Sequence, residues 1–414
     1  MGAQQGRNSL GNWTFPVGCW TLNPSWAEIP GKVLIPFALA PHTTYLYLPC
    51  SLFTPKTGGN MTRWGIATLI VIALVAGSVS AGPQWDLGED AWLKMSFLGQ
   101  VHGSYTDTDM DPYDVYLRRA RIILAGQITD GVKFFVETDN DNAGKRGSTV
   151  SMDIQDAFID LQILDSDHWV EVGLILLPFS FENRSSAASL LGLDYNAETV
   201  KFVNSFVWRD YGAELHGAFF DQKVSYCVGA FDGYDAAGAA KNPEADVRLT
   251  GHVAVNLLGK AETGWFFSQN RQGADPYVSV GAGYDWQDKA TLVSLPVPDG
   301  EAAVTAETDS EAWVIDLQSG FGVGDSDVTI NAAWYDWDNS AFNGTTAFVE
   351  SGVRIDKTML TAKLSVQDPE DGERTEDYTA GLHYFMRGHN ARTGIEYRWG
   401  DSDSMVLAGV QFLL

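Results

Sequence analysis

The sequence predicts an all-β fold: a transmembrane antiparallel β-barrel of 16–18 strands, with short periplasmic turns, longer outer loops and one in-folded constriction loop. Three observations point there. Apolar and polar residues alternate in runs of roughly ten, as membrane-spanning strands require. The breaks between runs alternate between short turns and long polar loops. An export leader precedes a stretch with a single cysteine, so the exported part has no internal disulfide and must be stabilised otherwise; a closed barrel provides that.

The leader comes first in the argument. Met61-Thr62-Arg63 is short and basic, residues 64–76 are apolar apart from one threonine, and Gly77-Ser78-Val79-Ser80-Ala81 supplies small residues before a cleavage point. Those are the three parts of a signal peptide spanning 61–81, and the apolar run is too short for a spanning helix. A membrane anchor would need a longer run and a stop-transfer flank. Residues 1–60 precede it, rich in Pro and Trp and nearly free of acids, and hold Cys19 and Cys50. They read as an overlong gene-call extension outside the mature protein, which would then run over 82–414. The whole chain of 414 residues carries a formal charge of −26; removing Arg7, Lys32, Lys56, Arg63 and Glu28 takes it to −29. Nucleic acid is therefore a poor partner. The 45% hydrophobic content is too high for a disordered chain.

The strands follow in order. In 115–128, Ala120, Ile122, Leu124, Gly126 and Ile128 share one face, with Arg119, Arg121 and Gln127 on the other. In 132–139, Val132, Phe134 and Val136 oppose Lys133, Glu137 and Asp139. In 155–163, Ala157, Ile159, Leu161 and Ile163 oppose Asp156, Asp160 and Gln162. The last run sets Val406, Ala408, Val410 and Phe412 on one side. Short turns are expected at 129–131, 221–222, 259–260, 356–357 and 387–389. Long loops are expected near 106–112, 140–152, 233–245, 296–310, 338–346 and 368–376. Trp208, Tyr211, Trp334, Tyr335, Trp337, Tyr397 and Trp399 lie near strand ends, where interfacial girdles sit. Counting runs gives eighteen strands, or sixteen if 289–295 and one neighbour are loop. A barrel of that size leaves an aqueous channel, so the pattern predicts conduction.

Charges on the polar faces should point into the lumen, because on the lipid face each would cost ~2–4 kcal/mol at the midplane. The pore-lining candidates are Arg119, Arg121, Lys133, Glu137, Asp139, Asp156, Asp160, Glu214, Arg392, Glu396 and Arg398. Such rings set ion selectivity, or else form salt-bridge networks that brace the wall. Residues 178–207 form the longest strand-free stretch of the front half. They read as the constriction loop, with Glu182, Arg184, Asp194, Glu198 and Lys201 as candidates for the narrowest point; an external flap is the other reading. The Asp107–Arg118 and Asp139–Val150 windows fail the calcium-loop pattern at the sixth or twelfth position, so no metal is expected. No GxSxG, HExxH, P-loop or CxxC motif is present, and His102, His216, His252 and His383 all fall on lumen-side parity. Catalysis and a cofactor are not expected.

Three stretches carry a family resemblance: YDVYLRRARIILAG at 113–126, VGLILLPFSFE at 172–182 with WRDYGAELHG at 208–217, and GLHYFMRGHNARTGIEYRW at 381–399. In order and spacing the chain resembles the phosphate-selective porin O and P family. The resemblance implies a homotrimeric channel in the outer membrane of a Gram-negative bacterium, in contact with outer-membrane lipid, whose third long loop folds into the lumen. It also implies passage of anions such as phosphate. This chain departs from the family pattern at Leu174 and Leu176, where Gln and Lys are usual, in its acidic balance, and in ending Gln411-Phe412-Leu413-Leu414 without a terminal aromatic. The expected function is passive diffusion of small hydrophilic solutes or ions. A weakly cation-selective general porin, a plugged structural barrel and an outer-membrane enzyme are the alternatives.

Overall fold

A computed structural model describes residues 32–39, 42–49, 82–107, 112–140, 142–203, 208–233, 242–262, 264–295 and 304–414. The proposed leader 61–81 lies outside the described residues, as do the acids Asp109 and Asp111. The chain divides into two units, Met1–Met61 and Thr62–Leu414. In the first, β1 (Lys32–Leu39) and β2 (His42–Pro49) pair as an antiparallel hairpin, Lys32 opposite Pro49.

The second unit is a closed antiparallel barrel. After the short β3 (Gln84–Asp86), which pairs only with its successor, come β4 (Trp92–Thr106), β5 (Tyr113–Thr129), β6 (Val132–Asp139) and β7 (Asp153–Gln162). Then follow β8 (His168–Leu176), β9 (Arg209–Phe219), β10 (Val224–Phe231) and β11 (Arg248–Leu258). The back half holds β12 (Tyr277–Leu295), β13 (Val304–Val323), β14 (Ser326–Asn339) and β15 (Phe342–Ile355). It ends with β16 (Thr358–Pro369), β17 (Thr375–Arg387), β18 (Ala391–Gly400) and β19 (Met405–Leu413). Each strand pairs with the next, and β19 closes onto β4 with Val410 opposite Val101, so sixteen strands leave no free edge. The outer face is the apolar one: Ile122, Ile159, Leu161, Val253, Ile315, Leu360 and Ile395 are all exposed. That suits hydrocarbon and is unsuited to water.

Three expectations about connections need correcting. The run 289–295 is neither loop nor separate strand; it continues β12 past a register shift at Lys289, whose φ is +47°. The expected long loop at 338–346 is a tight turn at Ser340-Ala341, with Asn339 opposite Phe342. The expected short turn at 259–260 is the start of a long connection, residues 259–276, between β11 and β12.

The girdle also needs correcting. Tyr211, Trp334, Tyr397 and Trp399 are exposed on the outer face. Tyr335 and Trp337, at 0% and 2% exposure, point inward and stack at 5.3 Å, and Trp208 packs against the same cluster. Parity decides this: Tyr335 and Trp337 alternate with Trp334 along β14, so one stretch of adjacent aromatics serves both faces.

The barrel therefore has an apolar core inside it. Phe135, Phe158, Phe231, Val314, Tyr335, Trp337 and Phe348 from the wall pack with Leu177, Phe179, Val200 and Phe202 of the β8–β9 connection. Close approach requires a glycine at 283 on β12. A Cβ there would stand 1.9 Å from the Phe179 carbonyl oxygen.

Candidate functional site

The lumen is crossed by two segments that enter from opposite ends of the barrel. Residues 177–208, joining β8 to β9, and residues 259–276, joining β11 to β12, leave on opposite sides because every strand reverses direction. The first contains a short helix, α1 (Ala197–Val200). The two segments meet inside as a parallel bridge, Ser185 to Phe267. There the Phe267 amide donates to the Arg184 carbonyl at 2.9 Å, and the Ser186 amide to the Phe267 carbonyl at 2.8 Å. The Gln269 side chain accepts from the Leu191 amide at 2.9 Å and donates to Glu182 at 2.6 Å.

The described residues of this segment, 177–203, are anchored to strands on opposite sides of the wall. Gln100 on β4 donates to the Ala187 carbonyl, and Gln411 on β19 to the Ala188 carbonyl. Arg392 on β18 holds the carbonyls of Leu190 and Gly192 at 2.6 and 3.0 Å, and Glu396 accepts from the Leu193 amide at 2.8 Å. Across the lumen, Asp316 on β13 accepts from the Phe181 amide at 2.7 Å, and Thr346 on β15 donates to the Thr199 carbonyl at 2.8 Å. Leu191 packs with Met359 and Phe385 on β16 and β17.

Ion pairs complete the anchorage. Asp194 receives Arg118 at 2.5 Å and Arg119 at 3.0 Å. Burial alone would push the Asp194 carboxyl up, but the two guanidiniums hold it well below the usual carboxylate range. Arg184 reaches Glu214 on β9 at 2.6 Å, and both side chains are buried. The wall has pairs of its own: Arg121 with Glu137 at 2.6 Å and Asp139 at 2.7 Å, Arg209 with Asp156 at 2.8 Å, and Arg248 with Asp285 at 2.5 Å.

Every candidate wall residue lies on the inner face. Arg119, Arg121, Glu137, Asp139, Asp156, Asp160, Glu214 and Arg392 are buried there, while Glu396 and Arg398 are half-buried. Lys133 lies across the ladder from Asp160, its ammonium 4.0 Å over the Trp169 ring. In the inward segment Glu182, Arg184 and Asp194 meet wall or partner-segment groups, whereas Lys201 is exposed. The backbone of Glu198 is in α1, and its side chain lies outside the described ones.

Several participants escaped the sequence reading. Arg118 joins Arg119 because a register shift between Gln100 and Val101 skips one β5 residue, and alternation cannot foresee a bulge. Glu350 holds Asn196 and Asn331 together. Glu171, buried on β8, stands opposite both Asp160 and Glu214; its place two residues after Trp169 and two before Gly173 was the available signal. The whole segment 259–276 was missed, because Gly259-Lys260 resembles a turn.

At the short-turn end a cavity of about 380 Å³ remains, lined by Lys133, Asp160, Trp169, His216, Cys227 and Trp265.

A barrel of sixteen strands with a long connection folded inward is the architecture of known outer-membrane channels, and comparison with them agrees. Residues 95–260 match the sequence model of the family described as phosphate-selective porin O and P. Over that stretch the chain is similar to the family, and its barrel has the fold of solved porins. OmpF of Salmonella typhi, solved with daunomycin, superposes with a TM-score of 0.56 at 13% identity, covering 80% of this chain and 100% of that one. An anion-selective porin from Comamonas acidovorans gives 0.51 at 11% identity, over 78% of this chain and 100% of that one. The trimer form of OmpT, an outer-membrane protein of Vibrio cholerae, gives 0.50 at 12% identity, over 79% and 100%. At such identities the likeness is one of fold. No curated protein matches the sequence. The family match over residues 95–260 together with the closed barrel indicates an outer-membrane protein.

Proposed function

We propose that the protein is a passive outer-membrane channel for small hydrophilic solutes and inorganic ions, narrowed by residues 177–208 acting as a constriction loop and favouring cations weakly. It performs no catalysis. The observation that carries this reading is the pairing of the inward-facing bases. Arg118, Arg119, Arg121, Arg184, Arg209 and Arg248 each meet a carboxylate, and Arg392 is satisfied by backbone carbonyls. Glu350 and Glu396 accept hydrogen bonds from amide groups, and Lys363 lies across the ladder from Glu350. These arginines are thus answered, which leaves little positive charge to hold an anion and favours cations only weakly.

Anion passage, which the family's description suggests, would need guanidiniums or ammoniums turned to the permeant. We place the chain in a homotrimer of mature subunits starting near Gly82, on the strength of the same family likeness and the leader-like 61–81. The two crossing segments favour a narrow lumen, and a fully plugged barrel is the competing reading.

Reconstitution into liposomes tests this. Swelling in arabinose with little swelling in a trisaccharide is expected; no swelling in any solute, together with no ionic conductance, would overturn the channel reading.

A further inference from the structure

We propose that Asp160, Glu171 and His216 form a divalent transition-metal site on the inner wall, opening into the cavity at the short-turn end. The residues come from three consecutive strands. Asp160 on β7 stands directly opposite Glu171 on β8, and Glu171 directly opposite Glu214 on β9. Three carboxylates in one row, all buried, need compensating charge, since like charges directly opposite one another are destabilising. Arg184 makes its ion pair with Glu214 and acts on Glu171 only through space. Lys133, the ladder partner of Asp160, places its ammonium over the Trp169 ring.

The donor geometry is already gathered. His216 Nε2 lies 3.1 Å from Asp160 Oδ1 and 3.9 Å from Glu171 Oε2. One donor atom from each of the three residues lies within 4.8 Å of the others. An ion bound at about 2.0–2.2 Å to each would need donors a little over 3 Å apart, so small rotations suffice. Independently, Glu171 Oε2 is buried and has no hydrogen-bond partner, an arrangement costly for a carboxylate without an ion to meet.

The supporting contacts suit a metal as well. Trp265 Nε1 donates to Asp160 Oδ2 at 2.8 Å, fixing the carboxylate that would coordinate through its other oxygen. Asp160 and His216 both line the cavity of about 380 Å³, which supplies a route in and room for a water in the remaining position. One imidazole with two carboxylates suits zinc or a similar borderline cation, whereas calcium and magnesium favour all-oxygen shells. Because Trp265 belongs to 259–276, the ion would also brace that segment against the wall.

The test is a calorimetric titration of the chelator-treated, detergent-folded chain with ZnCl2, folding being checked by heat-modifiable gel mobility. One zinc ion per chain is expected, with affinity weakened about tenfold or more in Glu171→Gln and in His216→Gln. CoCl2 should give the visible absorption of a low-symmetry site in the native chain and lose it in both variants, a readout independent of conduction. If either variant fails to fold, the other and the cobalt spectrum decide. Zinc binding that both variants leave unchanged would overturn the proposal as weak adsorption to loop acids. So would equal displacement of zinc by calcium, or no binding.

Discussion

Asp194 of the inward segment and Arg119 of the wall lie 3.0 Å apart, with Arg118 spanning both oxygens of the same carboxylate. One aspartate thus holds two adjacent arginines and offsets one of their two charges. Asp194→Asn should release them. The expected outcome is a shift of the zero-current potential toward anions. An unchanged potential would mean the arginines face no permeant.

Arg184 and Glu214 form a buried ion pair between segment and wall. Removing one partner of such a pair leaves an uncompensated charge and typically costs about 3–5 kcal/mol. Glu214→Gln should lower the denaturant midpoint of the folded barrel by an amount of that order, and the double variant with Arg184→Met should recover part of it.

Glu182 gives a pH dependence with a definite sign. Burial, then the neighbouring Glu350 carboxylate, pushes its pKa up to about 8 from an ordinary 4.5. A carboxyl raised on folding binds its proton more tightly in the seated state. Its stabilising contribution is therefore complete below about 4.5 and is lost as pH rises through about 8. Channel fluctuations should grow between pH 6 and 9 as the segment loosens. Glu182→Gln, which keeps a neutral group in place, should flatten that profile.

Trp337 and Trp399 separate the inner aromatic core from the lipid-facing rim. Trp337→Ala should destabilise the barrel by about 3–5 kcal/mol as a large buried ring is lost. Trp399→Ala should cost well under half of that. Equal losses would contradict an apolar core inside the barrel.

Gly283→Ala tests the fit of segment against wall. The new methyl would overlap the Phe179 carbonyl, so the segment must shift away. The expected result is a larger conductance with the barrel still folded.

Much of this was legible in the sequence, for reasons that also mark its limits. Alternation in 115–139 assigns Arg119, Arg121, Lys133, Glu137 and Asp139 to the inner face, because period two is a local property of the strand. Trp208, Tyr335 and Trp337 were misassigned, because an aromatic near a strand end signals a membrane rim only if its parity is outward. Arg118 depends on a bulge, and bulges leave no trace in alternation. Residues 259–276 were hidden because a Gly-Lys pair begins a tight turn and a long excursion in the same way. The partners of Asp194, Arg184 and Glu182 come from the wall and from that excursion, relationships between distant stretches that no single window contains.

The most direct test is the zero-current potential of the purified protein in a planar bilayer under a tenfold KCl gradient. A narrow channel with its inner arginines paired predicts measurable conductance and a potential that is cation-selective or near zero. A strongly anion-selective potential would mean that the arginines govern the passage despite their carboxylate partners, and the absence of any conductance would mean that the crossing segments close the barrel.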